Sequence, residues 1–372
     1  MKFSNQELAR YQRHISLAGF GPAGQEKLKA GSVLVIGAGG LGCPALLYLA
    51  AAGVGRIVLV DSDRVEVSNL QRQVLFTGAD EGELKVEAAA RRLRELNPFI
   101  TIEPHAARFT RDNALALVRS VDVVLDGSDN FGTRYLVNDA CVLADRPFVY
   151  GAIQGFEGQL SVFNWRGGPT YRCLFPEPPE PGTVQNCAEA GVLGVLPGLI
   201  GTAQATEVIK LLAAIGEPLS GRLLLWDSLT MRSQTVNLAA DPRSREIREL
   251  PPEGYGEICA VPGLDGDGKE IDVTELRAAL TAGREPQLVD VREDWEREMS
   301  GTIEPDHHAP LSQIMNGDSS ALKALDPSRP TVVYCAAGQR SLNVARALRE
   351  QLGFKSAVSL RGGIKVWREN ET

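Results

Sequence analysis

Three things are scarce in this 372-residue chain: surplus positive charge, long apolar runs and patterned cysteine. Acidic residues outnumber basic ones, 47 to 39, for a net charge of −8. That balance excludes a general nucleic-acid binder, which needs a basic face, but leaves room for local phosphate sites. The apolar stretch 190–203 is broken by Pro197 and by glycines. It falls well short of the ~20 apolar residues a membrane helix requires. Residues 1–12 read as a polar helix rather than a secretory signal. The six cysteines lack the spacing of a disulfide framework, which fits a reducing, cytoplasmic setting. There is no internal repeat and no low-complexity tract.

What is present has the pattern of two folded domains, as a chain of this length suggests. Residues 33–36, 57–60, 121–125 and 148–150 read as buried strands, short, rich in β-branched side chains and ended by Gly or Asp. Residues 42–52, 83–97 and 133–144 between them read as helices. This alternation predicts an α/β fold with a doubly wound parallel sheet. Over 246–269 the pattern fades into Pro251-Pro252-Glu253-Gly254 and a glycine-rich run, a linker signature. It resumes with a helix at 272–282, strands at 287–291 and 331–334, and a helix at 341–352, a smaller α/β domain. The expected division is 1–245, 246–269 and 270–372.

Gly37-Ala38-Gly39-Gly40-Leu41-Gly42 stands between a strand and a helix and fits G-x-G-x-x-G. Glycines there admit phosphate close to the backbone, and the helix start offers unpaired N–H groups and partial positive charge. Asp61 closes the next strand about twenty residues on, placed to hold ribose hydroxyls. Alone this would suit NAD. However, Ser68-Asn69-Leu70-Gln71-Arg72-Gln73 follows at the ligand-binding edge of the sheet, Lys85 opens the next helix, and Asp129-Asn130 follows the strand at 121–125. Cations that can neutralise a triphosphate and a carboxylate suited to Mg²⁺ fit nucleotidyl transfer better than hydride transfer.

Residues 1–245 resemble the ubiquitin-activating superfamily, in particular the bacterial MoeB/ThiF adenylyltransferases. The matching pieces are Arg10-Tyr11-Gln12-Arg13-His14, the glycine loop, Ser68 to Gln73, Lys85, Leu96-Asn97-Pro98, Asp126-Gly127-Ser128-Asp129-Asn130 with Arg134, and Gly191-Val192-Leu193-Gly194. The resemblance implies that Gly40, Asp61, Ser68, Asn69, Leu70, Gln71, Arg72, Lys85, Asp129 and Asn130 bind ATP and Mg²⁺, with Asp129 on the metal. Arg13 would reach the phosphates of the neighbouring subunit in a homodimer. The implied reaction is attack of a carrier's C-terminal glycine carboxylate on the α-phosphorus of ATP, with Arg72 and Lys85 stabilising the phosphates.

The same resemblance gives Cys187 a role, since a cysteine there is similar to one that takes the carrier as a thioester or acyl disulfide. Many relatives also hold structural zinc with two Cys-x-x-Cys pairs. Here Thr170 stands where Cys173 would need its partner, and 242–245 offers no thiol. A lone cysteine cannot complete a four-ligand site, so no zinc is expected. Cys43 and Cys141 read as core residues, and Cys259 carries no signal.

Cys335 ends the strand Val332-Val333-Tyr334 and opens the loop Cys335-Ala336-Ala337-Gly338-Gln339-Arg340 ahead of a helix. Loop N–H groups, the helix start and Arg340 would together favour a thiolate or persulfide. With Leu288-Val289-Asp290-Val291-Arg292-Glu293 and Leu360-Arg361-Gly362-Gly363 through Trp367, this resembles a single-domain rhodanese. One stretch, 300–311, departs from the usual Gly-His-Ile-Pro-Gly-Ala segment. His307 and His308 within it are expected to be solvated.

The combined expectation is an enzyme that adenylates a small ubiquitin-like sulfur carrier ending in Gly-Gly and then delivers sulfur from a Cys335 persulfide. The product would be a carrier thiocarboxylate, of use in making molybdopterin, thiamin, thiolated tRNA, cysteine or a secondary metabolite. The sulfur donor would be a persulfide or thiosulfate, a cysteine desulfurase being one source. No nucleic-acid or membrane partner is expected. Two alternatives are an NAD-dependent oxidoreductase, opposed by Arg72, Lys85 and Asp129, and a non-catalytic adaptor between a carrier and a desulfurase.

Overall fold

The computed structural model describes residues 3–178, 191–251, 255, 270–284 and 286–369. The chain divides into two compact units, Met1–Ala260 and Val261–Thr372. Residues 246–251 and 255, expected in the linker, belong to the first of these.

In the first unit, β1 (Ser32–Ile36), β2 (Arg56–Val60), β3 (Thr101–His105), β4 (Val123–Asp126) and β5 (Phe148–Gln154) pair in parallel. Then β6 (Glu157–Phe163), β7 (Arg222–Asp227) and β8 (Arg232–Asn237) extend the sheet antiparallel. The order is β3-β2-β1-β4-β5-β6-β7-β8. The antiparallel extension is not legible as strand pattern, because β8 has no buried face to impose alternation and β6 is buried along most of its length.

The central strands read as unbroken apolar runs because both faces of the sheet are covered. Val33 and Val35 pack with Ile57 and Leu59 on one face, under helices Gly42–Ala52, Lys85–Leu96 and Leu196–Ala213. Leu34 and Ile36 pack with Val58 and Val60 on the other, under helices Arg111–Arg119 and Phe131–Ala144. Each such side chain, fully buried, contributes about 1.5–3 kcal/mol. Connections leave β1 and β4 in opposite directions along the sheet, so a crevice opens beyond the ends of these two strands. Among the described residues, no helix is long and apolar enough to cross a membrane.

The second unit has a five-stranded parallel sheet in the order β11-β10-β12-β13-β9. Its strands are β9 (Glu270–Ile271), β10 (Gln287–Asp290), β11 (Asp306–His308), β12 (Thr331–Tyr334) and β13 (Ala357–Leu360). The atypical stretch 300–311 thus contributes an edge strand, β11, which pairs Leu288 with Asp306 and Asp290 with His308.

Candidate active site

At the crevice between β1 and β4, two glycines let the chain fold back tightly. Gly37 has φ +91°, and a Cβ there would meet the Gly127 carbonyl at 3.0 Å. A Cβ on Gly42 would sit 1.9 Å from the Gly37 carbonyl. Only glycine fits either position, and the result is a cavity of about 840 Å³. Helices Gly42–Ala52 and Phe131–Ala144 begin at its wall, the second capped by Asn130, whose Oδ1 accepts from Thr133 N–H at 2.9 Å.

Gly40, Asp61, Ser68, Gln71, Arg72, Lys85, Asp129, Asn130 and Arg134 line this cavity. Asp61 Oδ2 accepts from the glycine-loop N–H of Ala38 at 2.7 Å, and Oδ1 accepts from Asp63 N–H at 2.7 Å. Burial pushes the Asp61 carboxyl up, against the pull of these two N–H groups. Lys85 is 5% exposed and bonds Asp63 at 3.0 Å. Asp63 itself is two-thirds exposed, so solvent screens most of that attraction and the lysine's charge stays available to an anion. Arg72 donates from Nη1 to the Ser68 carbonyl at 3.0 Å, which aims a cation along the cavity wall.

Arg134 is buried, donates to the Ser128 carbonyl at 3.2 Å and stands over the rings of Phe131 and Tyr150. Its guanidinium lies 3.9 Å from Asp126 at the base of the crevice. Burial pushes the Asp126 carboxyl up, Arg134 and Ser128 opposing.

Three expected nucleotide residues lie off the wall. Asn69 caps its own turn, accepting from Glu66 N–H at 3.3 Å, and Leu70 packs against the apolar core. Arg13 is exposed on helix Asn5–Ile15. Tyr11 and Asn97 act structurally: Asn97 Nδ2 donates to Tyr11 Oη at 2.8 Å and to the Ala50 carbonyl at 2.7 Å. The wall also includes Arg108, Phe109, Thr110 and Arg111, after β3, and Tyr255. Sequence reading missed them. Their only signal was position beyond a strand end, and Tyr255 had none.

Among the described residues, no three His, Cys, Asp or Glu side chains cluster to hold a metal. Cys173 is instead a hydrogen-bond hub. Thr170 N–H and Asp241 N–H each reach its sulfur at 3.3 Å, and Ser244 Oγ lies at 3.1 Å. Burial pushes this thiol up, but the Asp241, Ser244 and Thr170 contacts outweigh it and hold it below its ordinary value. Cys43 and Cys141 are buried, and burial pushes the Cys43 thiol up to about 12. Cys187 and Cys259 lie outside the described residues.

In the second unit Cys335 is 1% exposed at the end of β12. Gly338 N–H donates to its sulfur at 3.1 Å, and Ser341 Oγ donates at 3.4 Å. The loop carbonyls face the other way. Those of Cys335 and Ala336 accept from Ile364 and Lys365 N–H, at 2.8 and 3.2 Å, in the first turn of helix Gly363–Glu369. This accounts for Leu360-Arg361-Gly362-Gly363: a helix start pins the Cys335 and Ala336 carbonyls away from the sulfur, which is left to the Gly338 N–H and the Ser341 hydroxyl.

Arg340 is paired with Glu296, which sits on helix Asp294–Ser300. Asp290 and Arg292 form a wholly buried pair at 2.6 Å, and Arg292 also donates to Ser300 Oγ and the Gly301 carbonyl. That pair ties β10 to the following turn. His307 is exposed, and His308 Nε2 lies 2.8 Å from the Arg292 carbonyl.

A cavity walled by Lys85, Arg72 and Arg134 at a sheet switch point, joined in one chain to a cysteine loop with donors on its sulfur, fits a bifunctional nucleotidyl- and sulfur-transfer class. The chain belongs to the ThiF family, which it matches over residues 11–246, and it carries a rhodanese-like domain at 272–370. It is 45% identical over 373 residues to the probable adenylyltransferase/sulfurtransferase MoeZ of Mycobacterium tuberculosis, covering 98% of this chain and 93% of that protein. It is 53% identical over 270 residues to the sulfur carrier protein adenylyltransferase of Thermus thermophilus, covering 70% of this chain and 100% of that one. The adenylyltransferase and sulfurtransferase MOCS3 of Anopheles gambiae is 41% identical over 388 residues, covering 98% and 88%.

Among solved structures, E. coli MccB with AMPCPP and MccA aligns with a TM-score of 0.57 at 25% identity, covering 65% of this chain and 73% of that one. This chain is an adenylyltransferase and sulfurtransferase, and as such uses ATP. The oxidoreductase and adaptor alternatives fall away.

Proposed function

We propose that the chain adenylates the C-terminal glycine of a small ubiquitin-like sulfur carrier and converts it to a thiocarboxylate with sulfur from a Cys335 persulfide. One observation supports this above the rest: buried Lys85, half-buried Arg72 and exposed Asp129 line one cavity in the same chain that gives the Cys335 sulfur two hydrogen-bond donors. The carrier carboxylate attacks the α-phosphorus of ATP, and pyrophosphate leaves with the bonding electron pair. Lys85 and Arg72 hold the phosphates, and no side chain need serve as nucleophile. The terminal sulfur of the persulfide attacks the acyl carbon, and AMP leaves. An external thiol then cleaves the resulting acyl disulfide, releasing the thiocarboxylate and leaving a mixed disulfide that a second thiol reduces.

Asp129 fits Mg²⁺, which is content with one carboxylate when phosphate oxygens and water complete its shell. When bound, Mg²⁺ would offset phosphate charge. Cys187 would take the carrier as a thioester or acyl disulfide, and Arg13 would serve a neighbouring subunit in a homodimer. The setting is taken to be cytoplasmic, as reduced thiols require. The test mixes the chain with a Gly-Gly carrier, ATP and a persulfide or thiosulfate donor and reads the carrier's intact mass. An oxygen-for-sulfur exchange that needs both ATP and Cys335 supports the reading. An unchanged carrier alongside a working control sinks it.

A further inference from the structure

The stretch expected to be a free linker begins bound to the first unit. Leu250 is buried in the cluster that holds Tyr135, Phe148 and Tyr171. Beyond it, Tyr255 lays its ring 6.0 Å from that of Tyr135. The Arg172 guanidinium packs on both rings, 4.9 Å from Tyr135 and 5.6 Å from Tyr255. Its Nη2 donates to Tyr255 Oη at 3.2 Å, while Nε and Nη2 each donate to Asp139 at 2.9 Å. Asp139 and Tyr135 belong to helix Phe131–Ala144, whose first turn lines the nucleotide cavity. Tyr255 lines that cavity too.

The same cluster also secures the chain that leads toward Cys187. Arg172 Nη1 donates to the Pro176 carbonyl at 3.0 Å, and Tyr135 Oη donates to the carbonyls of Phe175 and Glu177 at 3.0 and 2.7 Å. A simple tethering role for Tyr255 is too weak to matter. Moving the tether's start from Tyr255 back to Leu250 would dilute the second unit only about 1.5-fold. Ring and cation–π contacts at a half-buried site are worth more, about two- to tenfold each.

We propose that Tyr255 is a positioning residue of the nucleotide site. Packed between Arg172 and Tyr135, it closes one side of the cavity, so that bound nucleotide and the anchored linker stabilise each other. It acts through the wall and not on the reacting atoms. The inference rests on the cavity being the ATP site. Linkage makes the effect reciprocal: if anchoring raises ATP affinity, ATP must strengthen anchoring by the same factor.

Both directions can be measured on the full chain. ATP affinity is read by calorimetry, and anchoring by cleavage with a glutamate-specific protease, since Glu253 and Glu257 flank Tyr255 in the sequence. ATP should slow cleavage of the wild-type chain at those bonds. Tyr255→Ala should weaken ATP binding about fivefold, at the low end of ordinary coupling, and abolish the protection. Tyr255→Phe, which keeps the ring, should stay within about twofold. Should the alanine variant fail to fold, Tyr255→Leu, with apolar volume but no π face, is scored the same way. Unchanged ATP affinity, or protection that survives in the alanine or leucine variant, overturns the proposal. A wild-type chain that does not bind ATP overturns the ATP reading of the cavity itself.

Discussion

Glu296 grips Arg340 through both terminal nitrogens, at 2.8 and 2.5 Å, and Arg340 is the only cation in the loop that rings Cys335. The pair holds the guanidinium's charge at one fixed place beside the sulfur. Burial pushes the Glu296 carboxyl up, but Arg340 and the Glu293 N–H outweigh it and hold the group below its ordinary 4.5. A carboxylate depressed by folding stabilises the fold above about pH 4.5, and that contribution fades as pH falls through the lower folded value. Glu296→Gln should therefore cost about 1.5–3 kcal/mol at neutral pH. Urea unfolding across pH should show the gap between variant and wild type closing in acid. A gap independent of pH would assign the loss to packing rather than to charge.

The cavity between β1 and β4, read as the nucleotide site, predicts a separation of activities. Lys85 is buried, and its fixed partner is a screened, exposed Asp63. Replacing it with methionine keeps volume but removes the charge proposed to meet the phosphates. Lys85→Met should lower ATP–pyrophosphate exchange about 10²- to 10³-fold. Persulfide loading on Cys335, read by intact mass, should be unchanged, because it belongs to the other unit. Arg72→Ala should act in the same direction. Exchange that persists in both variants would mean the cations serve some other anion.

Much of this site could be read from sequence because its chemistry is local. Gly37 to Gly42 must be glycine-rich for a tight strand-to-helix turn, and Cys335 to Arg340 has the equivalent loop in the second unit. Where the structure differs from that reading, some of the deciding contacts are distant in sequence and others are local. Leu70 sits in the expected hexapeptide but packs against the apolar core, and Asn69 beside it is turned by a local contact with Glu66 N–H, three residues back, so neither lines the cavity. Tyr255 looked like linker because nothing in its neighbours shows that Arg172 and Tyr135 wait for it. The antiparallel strands β6 to β8 were missed because period-two patterning needs one buried and one exposed face, whereas β6 is buried along most of its length and β8 is exposed throughout. Helix 131–144 starts two residues before expectation because Asn130, read as a ligand, is also its cap.

The geometry around Cys335 depends on a glycine outside its own loop. Gly363 has φ +60°, and a Cβ there would lie 2.3 Å from the Cys335 carbonyl. Alanine must push that carbonyl away, and with it the peptide that orients the sulfur. Gly363→Ala should reduce persulfide loading by about tenfold or more and cost about 1–3 kcal/mol from the strained backbone alone. ATP–pyrophosphate exchange should be unaffected. Thermal unfolding followed in parallel with loading separates a distorted loop from an unfolded domain. Full loading in a folded Gly363→Ala chain would show that the carbonyl clamp is dispensable.

Cys173 joins two segments far apart in sequence, accepting from Thr170 and Asp241 N–H and contacting Ser244 Oγ. Three polar partners around one thiol favour its anion, which is why the group lies below its ordinary 9.0 despite burial. The sign of the linkage follows. A thiol depressed by folding adds stability as pH rises through the folded value toward 9, and adds none below it. Cys173→Ala should therefore cost more at pH 9 than at pH 6. Cys173→Ser keeps the hydrogen bonds but does not titrate in this range, so its cost should stay level. Stability measured by urea at the two pH values distinguishes them. Equal losses in both variants at both values would reduce Cys173 to apolar filling, and the segment around Asp241 would then be held by Arg245, which donates to Asn164 and the Gly168 carbonyl at 2.7 Å each.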